Sequence, residues 1–168
     1  MISKKISLRP AQETDSWMLS AIHIAAIKAL PTTFYTHREL LAWRNYLDKP
    51  DNSSIFKYLK LETIRVAIEN EIIAGFTSFT ANELISLYVH PHYQGQGIGR
   101  TLVEHFCSEA SGQGFNSVIT TASLYAEGFY LRLGFIPIRR VPHYLGRGLV
   151  VPVTEMTKDF GSAVSGGD

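Results

Sequence analysis

Residues 90–100 read HPHYQGQGIGR, with glycine at 95, 97 and 99 and neither a lysine nor an acid among them. The seven residues before, 83–89 (ELISLYV), are short and mostly apolar, which predicts a buried strand. After it, residues 98–110 (IGRTLVEHFCSEA) place Ile98, Leu102, Val103, Phe106, Cys107 and Ala110 at helical spacing. The quoted stretch is therefore a strand-to-helix turn. Glycines there can take positive φ and admit a close ligand, while the first N–H groups of the helix attract an anion. The turn has the makings of a phosphate cradle.

Two familiar cradles do not fit. A dinucleotide fingerprint needs a third glycine three residues after the second and an acid about 20 residues on; from Gly95 that glycine position is Arg100, from Gly97 it is Leu102, and residue 119 is Ile. A nucleoside-triphosphate loop needs Gly-Lys-Ser/Thr, which the chain lacks. What remains, Gln94-x-x-Gly97-x-Gly99, resembles the Gln/Arg-x-x-Gly-x-Gly/Ala pyrophosphate loop of the GNAT superfamily of acyl-CoA-dependent N-acetyltransferases.

A second motif carries the same resemblance. Residues 123–135 (SLYAEGFYLRLGF) place Ser123, Ala126, Tyr130, Gly134 and Phe135 where that superfamily has Asn-x-x-Ala-x-x-x-Tyr-x-x-x-Gly-Phe, with serine for asparagine as the one departure. Phe129, Leu133 and Phe135 read better as core and helix stop, whereas the Tyr130 hydroxyl must find a polar partner if buried. The chain is most similar to bacterial members of unknown substrate with a Glu-Leu-x-x-Trp-like second helix, here within residues 35–43 (YTHRELLAW).

The rest of the sequence is consistent with a one-domain enzyme. Its 168 residues suit a single domain over 1–160 followed by a small, polar, mobile tail at 161–168. Sixteen basic and fifteen acidic side chains leave a formal charge of +1, so no basic field advertises nucleic acid. Cys107 is the only cysteine and its apolar helix face suggests a packed thiol. No stretch approaches the roughly 18 apolar residues of a membrane span, and a cytoplasmic location is expected.

Patterning predicts a strand at 2–9, a helix at 16–30 capped by Asp15 and closed by Pro31, and a second helix over 40–47 entered through the capping box Thr36-x-x-Glu39. A loop is expected at 48–54. Strands at 64–69 and 72–79, joined at Asn70-Glu71, and at 83–89 form an antiparallel meander. A strand at 117–121, a helix at 122–133 ended by Gly134, and strands at 135–141 and 149–157 complete an α+β order. That is also the order of the GNAT fold, which implies a mixed, mostly antiparallel central sheet flanked by helices and splayed between the fourth and fifth strands.

The resemblance implies acetyl-CoA as cosubstrate, an amine acceptor as the other partner, and no metal. Residues Gln94, Gly95, Gln96, Gly97, Ile98, Gly99 and Arg100 would hold the pyrophosphate. Leu87, Tyr88 and Val89 would pair with pantetheine, the Val89 N–H facing the thioester oxygen, and Ser123 would bond a pantetheine amide. Tyr130 would protonate the leaving thiolate. Glu83, eleven residues before Gln94, matches the catalytic glutamate of the family's histone acetyltransferases, with an ordered water or a histidine as the other bases open to it. His90 and His92 flank Pro91 beside the cradle as possible relays. The acceptor would enter between the first two helices and the last strand loop, where Tyr35, Trp43 and His143 stand out, along with His23, His37, Tyr46 and Tyr144.

The function expected is acetyl transfer to a primary amine of a small molecule, amino acid or peptide by direct attack in a ternary complex. A non-catalytic acyl-CoA-binding module is the alternative, and Tyr130 argues against it, since a binder needs no proton donor at sulfur. An enzyme acting on charged tRNA is disfavoured by the near-zero charge. A homodimer is left open.

Overall fold

The computed structural model describes residues 5–46, 61–146 and 148–161, and the backbone alone at 44–46, 146 and 149. Its elements are β1 (Ile6–Pro10), a 3-10 turn (Glu13–Asp15), α1 (Ser16–Lys28), α2 (His37–Tyr46), β2 (Thr63–Glu69), β3 (Ile72–Thr80) and β4 (Glu83–Val89). A second 3-10 turn (Pro91–Tyr93), α3 (Ile98–Gly112), β5 (Ser117–Ser123), α4 (Glu127–Arg132), β6 (Ile136–Gly146) and β7 (Leu149–Asp159) follow. The expected loop at 48–54, the tail beyond residue 161 and the side chain of Tyr46 lie outside the described residues.

The strands form one seven-stranded sheet in the order β1-β2-β3-β4-β5-β7-β6. Every neighbouring pair is antiparallel except β4 with β5. The β2–β3 hairpin turns on Asn70 and Glu71, at φ 49° and 66°, the paired left-handed conformation of a type I′ turn whose twist suits adjoining strands. The β4–β5 pairing consists of Glu83 opposite Ile119 and Leu84 opposite Thr120. Past that point β4 has β3 on one side and a gap on the other, which is the expected splay.

Helices cover both faces of the sheet. Alternation along β2 sends Ile64 and Val66 toward Leu19 and Ile22 of α1, while Ala67 faces Ile98 and Leu102 of α3. α2 joins α1 on its face through Leu40 and Trp43, packed with Val151 and Val153. α4 joins α3 on the other, where Phe106, Tyr130, Phe135 and Met156 are buried together. Truncating Phe106 to alanine in that cluster would cost about 3–5 kcal/mol.

Four expectations need correction. Asp15 does not cap α1: its carboxylate takes both guanidinium nitrogens of Arg9, at 2.7 and 2.9 Å, and the Gln12 N–H at 2.7 Å. The Arg9 pairing, above all, holds its pKa below the usual carboxylate range. The helix expected over 122–133 is only Glu127–Arg132, because Ala122 and Ser123 are claimed by β7, opposite Thr154 and Val153. The last two strands run longer than expected, paired from Ile136–Thr157 out to Gly146–Leu149. The Thr36–Glu39 capping box is present, with Glu39 Oε2 accepting from Thr36 N at 2.7 Å and Thr36 Oγ1 from Glu39 N at 3.2 Å. It starts the helix at His37, earlier than residue 40.

Candidate active site

The quoted turn closes β4 and opens α3. Gly95 and Gly97 sit at φ 74° and 88°, with open space where a Cβ would stand, so conformation rather than crowding calls for glycine there. Gly99 is tight for a different reason, since a Cβ would stand 3.3 Å from the Phe129 ring and push it aside by a few tenths of an ångström. The turn is fastened by side-chain amides: Gln94 donates to the Val89 carbonyl at 3.1 Å and Gln96 to the His92 carbonyl at 2.9 Å.

β4 itself supplies the second part of the site. The His90 N–H is bonded to Ala74 O at 2.9 Å, and Gly75 stands opposite Val89. That makes Gly75–Val89 a non-hydrogen-bonded pair of the ladder, which turns the Val89 N–H and C=O away from β3. They face the gap left by β5, as do those of Leu87 two residues earlier. Tyr88 alternates to the α1 face, where its ring lies 4.1 Å from that of His23. Burial pushes the Tyr88 phenol up to about 12 and His23 down to about 4.

A cavity of about 580 Å³ fills this gap and passes from one face of the sheet to the other. Leu87, Tyr88, Val89, Gln94, Gly95, Gly97, Ile98, Gly99, Arg100, Ser123 and Tyr130 all line it, as do Trp43 and His143. Three expected residues do not. Gln96 is turned back onto His92. Tyr35 lies behind Trp43, ring centroids 5.4 Å apart and edge to face. Glu83 is exposed at the closed end of the splay, opposite Thr80 and Ile119. His90 and His92 also stay off the lining, their rings edge to face 4.9 Å apart at the 3-10 turn. The His90 imidazole is held below its ordinary range by burial and by His92.

Tyr130 sits at the apex, where the strands part. Its ring is edge-on to Phe129 at 5.1 Å and Phe135 at 5.3 Å. The helix carrying it ends in a left-handed Gly134 at φ 86°, with Phe135 N–H bonded to Tyr130 O at 3.1 Å and Gly134 N–H to Leu131 O at 3.0 Å, a Schellman closure. Burial raises the Tyr130 pKa well above that of free tyrosine, against a hydrogen bond with Thr120 that lowers it. Thr120 donates its hydroxyl to Leu84 O at 3.0 Å, tying the apex shut across β4 and β5. Ser123 Oγ accepts the Ala126 N–H at 3.2 Å, forming the turn into α4.

Two kinds of lining residue escape the sequence patterns. Arg132 follows Tyr130 by two positions in the second motif, a cation that stands out once that helix is placed. Ala26, Ile27 and Leu30 reach in from α1. That helix is apolar around most of its circumference (SWMLSAIHIAAIK), which signals a second buried contact beyond the sheet. Cys107 lies in the core with its thiol pKa raised by burial, the setting of an inert rather than a reactive cysteine. Among the described residues no three His, Cys, Asp or Glu side chains gather as a metal site, and no helix is long and apolar enough to cross a membrane.

Residues 33–160 match the family model described as an acetyltransferase (GNAT) domain. An uncharacterized N-acetyltransferase, YafP, of Escherichia coli (strain K12) is 27% identical over 135 residues, which are 80% of this chain and 84% of that one. A GCN5-related N-acetyltransferase structure from Rhodopseudomonas palustris superposes with a TM-score of 0.85 at 27% identity, covering 95% of this chain and 98% of its own. The structure of yncA from Salmonella typhimurium, solved with its cofactor acetyl-CoA, gives a TM-score of 0.66 at 21% identity over 94% and 95% of the two chains.

Proposed function

Because this chain belongs to the acetyltransferase (GNAT) family, it is an acetyl-CoA-dependent N-acetyltransferase, and we propose that it passes the acetyl group directly to a primary amine held in the same cavity. The observation that carries this reading is the Val89 N–H, turned into an unpaired gap one turn away from a glycine cradle. An extended amide chain such as pantetheine can take the place of the missing strand there, its pyrophosphate resting on residues 95–100. Acetyl-CoA supplies a sulfur-activated acetyl carbonyl.

The protein's own groups divide the remaining work. The Val89 N–H stabilises the charge that grows on the carbonyl oxygen, an effect worth most in a site closed to water. Tyr130 holds a proton at its phenol oxygen for the departing sulfur, and burial keeps that proton in place at neutral pH. Ser123 and Gln94 orient the turn segments on either side of the gap. Glu83, at the closed end of the splay, is not among the residues that line the cavity, which favours His143 or a water beside it as the acceptor of the amine proton. Among the described residues His143 is the one imidazole on the lining.

The experiment that tests the reading is thiol release from acetyl-CoA with and without a panel of primary amines. Amine-dependent release in a one-to-one ratio with acetylated product supports direct transfer. Release that is independent of every amine would sink it, as would a covalently acetylated protein that passes its acetyl group on after CoA has been removed.

A further inference from the structure

The cavity crosses the sheet, and its two ends differ in chemistry. On the α3 and α4 side it meets the glycine turn, with Arg100 and Arg132 on its wall. On the α1 and α2 side the wall is Ile27, Leu30, Trp43 and Val153, all of them buried in one apolar cluster. Tyr125 carries that wall to the surface, 44% exposed and edge-on to the 45% exposed Phe34 at 6.0 Å. No aspartate or glutamate lines the cavity anywhere among the described residues.

An acid-free apolar wall selects among amines by charge. A second ammonium on the acceptor would lose its water without gaining a carboxylate, which disfavours its binding. A single amine entering such a wall has its pKa lowered by desolvation, which yields the free base that attack requires. Exposed aromatic rings at the rim add apolar and stacking surface for the body that carries the amine.

We infer that the acceptor is a monoamine carried on an apolar aryl or alkyl body, bound against Ile27, Leu30, Trp43 and Tyr125. This rests on the reading of the cavity as an acetyltransferase site. In the transfer the amine lone pair forms the N–C bond and the C–S bond breaks with its electron pair going to sulfur. Sulfur takes one proton, and nitrogen gives one up to His143 or water.

The test measures kcat/KM by thiol release for 2-phenylethylamine and for spermidine, alongside the melting shift given by acetyl-CoA. The wild-type protein should prefer 2-phenylethylamine by tenfold or more. Trp43→Ala should raise KM for 2-phenylethylamine while the acetyl-CoA melting shift stays. Ala26→Glu places a carboxylate at a half-buried lining position and should move the preference toward spermidine by at least tenfold. Equal or better use of spermidine by the wild-type protein overturns the inference. So does an acetyl-CoA melting shift without thiol release by 2-phenylethylamine. Loss of both the melting shift and all amine-dependent release would instead overturn the acetyltransferase reading on which the inference stands.

Discussion

The Tyr35 hydroxyl accepts the Leu124 N–H at 2.8 Å and donates to the Pro152 carbonyl at 3.3 Å. One phenol thus ties the segment between α1 and α2 to the end of β5 and to β7, beside Ser123. Tyr35→Phe keeps the ring packed on Trp43 but strips a half-buried N–H of its acceptor. Stability should fall by about 1–3 kcal/mol, seen as a melting temperature several degrees lower. If Tyr35 contacted the acceptor instead, KM for the amine would change with the melting temperature unmoved.

Acetyl-CoA should raise the melting temperature, and ATP and NADH should not. At about 100 times the dissociation constant the gain is roughly 2.7 kcal/mol. Gly97→Asp forces a side chain onto φ 88° and sets a negative charge facing the pyrophosphate. It should abolish the acetyl-CoA shift while the free protein still unfolds cooperatively. Equal stabilisation by ATP would mean that the turn is a general phosphate site.

Tyr130→Phe should separate binding from chemistry. The ring contacts with Phe129 and Phe135 survive, so the fold should hold. Affinity for acetyl-CoA should stay within about threefold, since one neutral hydrogen bond contributes roughly 0.5–1.5 kcal/mol. Turnover should fall by about 10²-fold or more, with the deficit shrinking at high pH where sulfur leaves unaided. Normal turnover by the mutant would remove Tyr130 from the mechanism.

The base is tested by a pair of substitutions. His143→Gln should lower kcat/KM for the amine by about 10²-fold or more, whereas Glu83→Gln should leave it within about twofold. The reverse result would return the role to Glu83 acting through water from the closed end of the splay. Full activity in both variants would assign the proton to water alone.

His23 sets an acid limit on stability. Burial holds its folded pKa at about 4, below the ordinary 6.5 of a histidine, so between those pH values the unfolded chain binds the extra proton and stability falls as pH falls. The full effect, present above about pH 6.5 and gone below about pH 4, is about 3 kcal/mol. His23→Phe should flatten the pH dependence of urea unfolding in that window and leave the lower-lying loss from the Arg9–Asp15 pair intact. A mutant with the same slope as the parent would show that His23 is not the titrating group.

The strand-turn-helix around Gly97 and the helix around Tyr130 were legible because each depends on local signals: alternating or helical spacing, glycines where φ is positive, a Gly-Phe closure. The opening of the sheet was expected only through family resemblance, since nothing in the pattern of 83–89 reveals which ladder bonds its strand will lack. The boundaries went wrong where a distant partner decides them. Residues 122 and 123 carry helix-compatible side chains, yet pairing with Thr154 and Val153 holds them in β5. Tyr35 and Glu83, absent from the cavity lining, show a related limit: a sequence position near the site does not say which way a side chain turns. Gathering Ala26, Ile27 and Leu30 at the cavity depends on how α1 lies across the gap, which helical periodicity alone leaves open.

The two rungs that join β4 to β5 leave the protein with an unfinished sheet, one whose two halves meet at a seam open along most of its length. A ligand lying in that seam would act as a temporary eighth strand borrowed from outside the chain. Amide hydrogens at Leu87 and Val89, turned toward the seam, would then serve as clocks for its occupancy. They should exchange with solvent quickly in the free protein and slow sharply once CoA is bound, while those of Tyr88, committed to β3, keep the same pace in both states.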